Sequence, residues 1–323
     1  MIAALILSLA ACSRDSARAS RKLTSIDLAC VMNPDFSLVH IAIARGFFAD
    51  EGLIVNVKPF AIGKTALAAV ISGEADLATS LETPVVFAIL GGEEIQIVAA
   101  VATSDKNLVL VANRGAGVAK PGDLAGKKVG VTKGTAAEYF LSSFLVAHRI
   151  SESGITPVDT QPDDLLDALM SRGTAAAVLW NPLTLQIGDV LGRQGLVFPS
   201  EDIYTAYDLV VGDRAFLEAN PEAITSFIRA LIRAETFFKK DFEKALSHIG
   251  EFTKSEEPAL RASLDLYRYK VALDLSLLLV LEDESRWAMR IQPDAFKTMP
   301  KYLDYIFSEA LSSVAPDRVR LVR

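Results

Sequence analysis

Two hydrophobic periods take turns along this chain. From Leu23 onward, short apolar or alternating runs of strand length are interleaved with runs whose apolar residues recur every three or four positions. Strand-length runs fall at Ile26–Met32, Leu53–Phe60, Leu77–Thr79, Ile95–Thr103 and Leu108–Ala112. Helical spacing occupies Leu38–Phe48, Thr65–Ile71 and Thr83–Leu90, ending near Gly46, Ser72-Gly73 and Gly91-Gly92. This β-α-β-α alternation predicts a mostly parallel sheet with helices on both faces. After a connector rich in Gly, Pro and Lys at Gly115–Gly126, the alternation restarts. Strands are predicted at Lys127–Val131, Pro157–Thr160, Ala175–Trp180 and Tyr204–Val211, and helices at Thr135–Ile150, Asp163–Ser171 and Pro182–Leu191. Beyond Asp213 the helical period takes over. Ile224, Phe227, Ile228, Leu231 and Ile232 mark one amphipathic face, opened by Asn220-Pro221-Glu222. Further helices are predicted over Leu260–Lys270, Leu275–Met289 and Tyr302–Leu311.

The length of 323 residues exceeds what one core usually holds, so two lobes are expected. A formal net charge of −7 argues against a nucleic-acid partner, because phosphate binding needs a positive surface to displace counterions. No apolar run approaches the ~18 residues that span a bilayer. The three histidines (His40, His148, His248) and two cysteines (Cys12, Cys30) have no metal-ligand spacing, and no metal or cofactor is expected.

Residues 1–11, MIAALILSLAA, form an uncharged apolar block ending in small residues, with Cys12 and then the polar stretch SRDSARASRK behind it. Such a block reads as a secretion signal rather than a fold element. Leu9-Ala10-Ala11-Cys12 resembles the lipobox of bacterial lipoproteins, although no Lys or Arg precedes the block. The resemblance implies cleavage before Cys12, lipidation of its thiol, and a tether over residues 12–22. Cys30, inside IDLACVM, is then expected to be an unpaired core residue.

Four longer segments carry a second resemblance: IAIARGFFADEGLIV (Ile41–Val55), ISGEADLATS (Ile71–Ser80), DLAGKKVGVTKGTAAEYFL (Asp123–Leu141) and VALDLSLLLVLEDESRWAMR (Val271–Arg290) followed by MPKYLDYIF. The chain resembles the solute-binding proteins of ABC importers for sulfonates, taurine and nitrate, and their thiamine-precursor-binding relatives. That resemblance implies an α/β type II periplasmic-binding-protein fold, two doubly wound lobes joined by crossover strands near Leu108–Asn113 and Asp208–Asp213. Lobe one would comprise residues 23–112 and 212–323, and lobe two residues 113–211. It also implies a monomer held at a membrane by its lipid, periplasmic or on the cell surface, which hands a small anionic or polar organic solute to importer subunits. The alternatives are an enzyme on the same fold, resembling thiamine-precursor synthases or desulfinases, or a ligand-sensing partner of a membrane receptor.

Ligands of open α/β sheets bind outside the carboxyl ends of the strands, and that rule selects the candidate loops. Lys133-Gly134-Thr135-Ala136-Ala137 follows a strand and opens a helix, whose first amides lack internal partners and attract anionic or polar groups. Ser80-Leu81-Glu82-Thr83 occupies the same position after an earlier strand, with Thr83 and Pro84 as a candidate N-cap and first turn. Glu82 would either meet a cationic group or face water. Trp180 and Asn181 end a third strand, Trp180 offering a flat apolar wall or filling the core. Asn33, Pro34, Asp35 and Phe36 form the turn after the first strand, with Asn33, Pro34 and Phe36 as candidate contacts. Gly63-Lys64-Thr65 imitates the end of a phosphate loop, but Lys58 stands where that loop needs its first glycine. Gly63 and Lys64 are better read as a helix start bordering the cleft. Asp208, beside the returning crossover, completes the set, with Tyr204 and Tyr207 as weaker candidates. No nucleophile elbow or triad context is present, and the Glu282-Asp283-Glu284 run reads as a solvated helix face.

Overall fold

The computed structural model describes residues 23–321; the signal block, Cys12 and the tether lie outside them. Among the described residues there are twelve strands: β1 (Thr24–Val31), β2 (Leu53–Phe60), β3 (Leu77–Leu81), β4 (Ile95–Ser104), β5 (Leu108–Asn113), β6 (Lys128–Val131), β7 (Thr156–Asp159), β8 (Ala176–Trp180), β9 (Gly195–Pro199), β10 (Ala206–Asp213), β11 (Arg268–Asp274) and β12 (Val319–Arg320). They form a seven-stranded sheet in the order β12-β11-β4-β10-β3-β1-β2 and a five-stranded sheet in the order β7-β6-β8-β5-β9. Helices connect the parallel strands β1, β2 and β3, and likewise β6, β7 and β8. This is the two-lobed type II periplasmic-binding-protein fold.

The chain changes sheets between β4 and β5 and again between β9 and β10. β5 pairs antiparallel with β8 and β9 in the second sheet, whereas β10 inserts antiparallel between β3 and β4 in the first. Both strands are nearly continuous apolar runs, LVLVAN and AYDLVVGD, and both are buried at almost every position. A strand covered on both faces has no solvated side to carry polar residues. Asp208, in the interior of its strand, departs from this pattern, and it is buried.

Four regions depart from the sequence-based expectation. The helix expected over Leu38–Phe48 breaks at Gly46, whose φ of +67° lies in the left-handed region, giving Ser37–Ala44 and Phe47–Asp50. The helix expected to reach Lys270 ends at Leu264, and β11 follows; Tyr269, Val271 and Leu273 turn inward while Arg268 and Lys270 face water. β9, with the sequence GLVFP, is a half-exposed edge strand with too little apolar contrast to stand out. Near the C-terminus a short turn at Tyr302–Tyr305 and a helix over Glu309–Val314 replace the single helix expected there.

The lobes touch along their facing edges. Ser263 Oγ donates to Asn181 Oδ1 at 2.8 Å, and Lys64 Nζ donates to the Lys133 carbonyl at 2.9 Å. Helix Leu275–Ile291 packs on the second lobe through Trp287, whose ring lies edge-on to Tyr139 with centroids 5.3 Å apart. Arg290 pairs with Glu152 at 2.9 Å, but both side chains are about half exposed, so the pair contributes under about 1 kcal/mol. Apolar packing and the buried Ser263–Asn181 bond outweigh it in this contact.

Candidate functional site

A pocket of about 50 Å³ lies where the strand ends of the two sheets face each other. The first lobe supplies Val31, Asn33 and Asp35 after β1, Ile62, Gly63 and Lys64 after β2, and Leu81 and Pro84 after β3. The second supplies Asn107 and Leu108 at the start of β5, Thr135, Ala136 and Ala137 after β6, and Trp180 at the end of β8. A wider groove of about 630 Å³ lies alongside, lined by Phe87, Lys133, Gly134, Glu138 and Trp287 among others, and Lys64 borders both spaces. The Lys64–Lys133 hydrogen bond therefore stands as a bar between a small inner pocket and an open outer one.

Of the residues singled out from the sequence, Asn33, Gly63, Lys64, Leu81, Thr135, Ala136 and Trp180 line the inner pocket, and Lys133 and Gly134 the outer groove. Gly63 is there for a steric reason: a Cβ would sit 2.7 Å from the Cα of Ser80 and 3.1 Å from the Leu81 nitrogen. Ser80 itself is buried, its hydroxyl donating to the Leu81 carbonyl. Phe36 is fully buried in the first core and forms no wall of the pocket. Pro34 is also buried, its carbonyl accepting hydrogen bonds from Ser37 and from Tyr269. Asn181 is inside the lobe contact, its Oδ1 accepting from Ser263, and its backbone N–H donates to Asn107 Oδ1 of its own lobe at 3.0 Å. Thr83 is not the cap, because the helix starts one residue earlier, at Glu82, and the Thr83 hydroxyl is buried without a partner.

Glu82 neither faces water nor lines the pocket. Its carboxylate accepts the Tyr207 backbone N–H at 3.0 Å and the Tyr204 hydroxyl, and Glu284 lies against the same hydroxyl at 3.5 Å. Both glutamates are fully buried. Burial is the main reason the Glu82 carboxyl is pushed up to about 7, and burial together with the Glu82 charge holds Glu284 well above the usual range. Glu284 thus leaves the solvated face assigned to its neighbours. It occupies the inward stripe of its helix with Leu277, Leu281 and Ala288.

The helix N-terminus after β6 has fewer free donors than its sequence promised. Thr135 caps, accepting the Ala137 N–H at 3.3 Å, and Glu138 folds back to accept the Gly134 N–H at 2.7 Å. Both donors are satisfied within the chain.

What sequence reasoning did not select is Asp35. It is 4% exposed, lines the inner pocket, and its Oδ1 has no hydrogen-bond partner. Burial pushes its carboxyl up to about 7. Asp208, buried close enough to feel its charge, has both carboxylate oxygens unpartnered and is held well above the carboxylate range by burial. An acidic residue in a turn is ordinarily solvated, so nothing local marks Asp35. The signal would have been its place two residues after Asn33 at a strand's carboxyl end.

A two-lobed α/β molecule with a small pocket at its facing strand ends, mostly apolar in lining and edged by a few polar groups, belongs structurally with the periplasmic binding proteins. More specifically, the chain belongs to the NMT1/THI5 like family, which it matches over residues 33–245. It is 24% identical over 230 residues to a Brucella abortus (strain 2308) protein named as a binding protein, a match covering 69% of this chain and 70% of that one. The alkanesulfonate-binding protein SsuA of Xanthomonas axonopodis pv. citri, solved with MOPS bound, superposes with a TM-score of 0.72 at 15% identity, covering 88% of this chain and 99% of its own. The periplasmic nitrate-binding protein NrtA of Synechocystis PCC 6803 gives 0.71 at 14% identity, with 92% and 89% covered. At these identities the superpositions establish the shared fold.

Proposed function

We propose that this protein is an extracytoplasmic solute-binding lipoprotein of an ABC importer, which captures a small polar organic solute between its lobes and presents it to membrane subunits. The observation that carries this reading is the inner pocket itself, whose lining comes from both lobes and includes a buried carboxyl with one oxygen unpartnered. A buried polar group without a partner costs roughly 1–3 kcal/mol, which a ligand donor would offset. Closure then follows thermodynamically, because a solute touching both lobes interacts more strongly with the closed form. Hinge closure of this kind is the established behaviour of periplasmic binding proteins.

Release of the solute unchanged, rather than its conversion, is supported by the chemistry near the cleft. The Cys30 thiol is buried in β1 and pushed up to about 12 by that burial, far from a reactive thiolate. His40 is buried against the Val31 carbonyl, and burial pushes it down to about 4. Neither borders the inner pocket. Lys64 is occupied by the Lys133 carbonyl.

A thermal-shift screen over sulfonates, nitrate, pyrimidines, amines and aromatic acids tests the reading. A true solute at 100 times its dissociation constant should stabilise the protein by about 2.7 kcal/mol. A screen in which no small solute raises the unfolding temperature contradicts it.

A further inference from the structure

The unpartnered atoms beneath the inner pocket are not scattered. Asp35 Oδ1 and both oxygens of Asp208 are buried and lack partners, and beside them the Tyr267 hydroxyl and Asn181 Nδ2 are buried with only each other for company. They come from the turn after β1, from β10, from the approach to β11 and from the end of β8, so four separate segments bring them to one place. The charge of Asp35 acts on Asp208, and both act on Tyr267. Among the described residues, no Lys, Arg or His forms an ion pair with either aspartate. Tyr269 could have donated, but its hydroxyl is committed to the Pro34 carbonyl at 2.7 Å.

Most polar atoms in folded interiors are satisfied, so an orphaned carboxyl oxygen on the pocket wall, with further unsatisfied polar groups close behind it, marks a place that a ligand completes. Asp35 Oδ1, an unpaired acceptor on the pocket wall, calls for an N–H donor, and positive charge on that donor is favoured because it would ionise the buried carboxyl it meets. An anion entering here would meet carboxyl oxygens, a helix start whose Gly134 and Ala137 amides are already engaged, and a lysine already donating to a carbonyl. The inner pocket takes about three to five water-sized groups, room for a headgroup, while the outer groove beyond Lys64 offers Phe87 and Trp287 to an apolar remainder.

We propose that the inner pocket recognises an organic cation carrying N–H donors, an ammonium or amidinium headgroup, which hydrogen-bonds the orphaned Asp35 oxygen. This assignment rests on the solute-binding reading and names the ligand class within it. A fully alkylated cation, having no N–H, satisfies the charge but leaves the orphaned oxygens unpaired.

Saturation-transfer NMR on the purified protein tests the assignment with four probes that each report through methyl protons: methylammonium, acetamidinium, tetramethylammonium and acetate. The expected result is transfer to methylammonium and acetamidinium, little to tetramethylammonium and none to acetate. Asp35→Asn should weaken the first two by about tenfold or more, the size expected when a charged acceptor becomes neutral. The comparison among probes is made on the unaltered protein, so it stands even if the variant folds poorly. Stronger binding of acetate, equal binding of tetramethylammonium, cation binding unchanged in Asp35→Asn, or no transfer to any probe overturns the assignment. The broader solute-binding reading falls separately, if the thermal-shift screen yields no ligand of any charge.

Discussion

The buried pair Glu82 and Glu284 makes a quantitative prediction about stability. The perturbation is Glu82→Gln. The amide oxygen of Gln can still accept the Tyr207 N–H, and its NH₂ can donate to the Tyr204 oxygen, freeing that hydroxyl to donate to Glu284. Shape and hydrogen bonding are kept, and only the ionisable proton is removed. In the folded protein the Glu82 carboxyl titrates at about 7, against 4.5 when solvated. A raised carboxyl pKa means that the native state holds its proton more tightly than the unfolded chain. Below pH 4.5 both states are protonated and the native state carries no penalty. Between 4.5 and about 7 the unfolded chain ionises first, and stability falls; above about 7 the whole penalty is present. At 1.36 kcal/mol per pH unit, the loss attributable to Glu82 is about 3 kcal/mol. Glu82→Gln should therefore match the wild type within about 1 kcal/mol at pH 4.5 and exceed it by roughly 3 kcal/mol at pH 8. Urea unfolding followed by circular dichroism at pH 4.5, 6 and 8 reads the difference. Glu284 and Asp208 feel the Glu82 charge and are relieved in the variant, which widens the gap in the same direction, so about 3 kcal/mol is the part due to Glu82 alone. Curves that stay parallel across this range, or a variant less stable at pH 8, would refute the reasoning.

Three further outcomes follow from single contacts. Gly63→Ala forces a Cβ against backbone atoms at 2.7 and 3.1 Å, so it should cost about 1–3 kcal/mol in thermal denaturation and weaken solute binding as the Lys64 turn shifts. Glu235, which is 3% exposed, accepts the Val271 N–H at 2.9 Å and pairs with Arg318 at 2.5 Å. Glu235→Ala leaves Arg318 uncompensated and should cost about 3 kcal/mol, with the C-terminal residues from Pro316 onward becoming the first cut by limited proteolysis. Cys12→Ala should move the protein from the membrane fraction to the soluble one; retention in the membrane would remove the lipid anchor from the account.

Much of the frame was legible because hydrophobic period reports burial directly. β2 falls on the very residues its alternation marked, Leu53 to Phe60, and β1, β3, β4 and β5 lie within two residues of their apolar runs. β11 was hidden because its alternation is short and begins with the charged Arg268 and Lys270, which continue the polar face of the preceding helix. The pocket was legible only in part. Strand-end loops identified Gly63, Lys64, Leu81, Thr135 and Trp180 as its lining, since that rule needs topology alone. Its electrostatics were not, because a carboxylate's role depends on which side chains surround it in space. Asp35 sits in a turn and Glu284 in an acidic run, both positions where solvation is the default. Only the register of Glu284 with Leu277 and Leu281 hinted at its inward direction. For the same reason the helix start at Thr135 looked richer in free donors than it is: Glu138 is an ordinary first-turn acid in sequence, and in the fold it takes the Gly134 amide.

The central claim, capture of one solute between the lobes, is tested most directly by calorimetric titration of the strongest stabilising solute into the wild type and into Trp180→Ala. Trp180 is half-buried and forms the second lobe's wall of the inner pocket. Saturable binding of one solute per chain, weakened by about tenfold or more when that wall is removed, is the predicted result. Binding of equal strength in both proteins, or no saturable one-to-one heat at all, would contradict it.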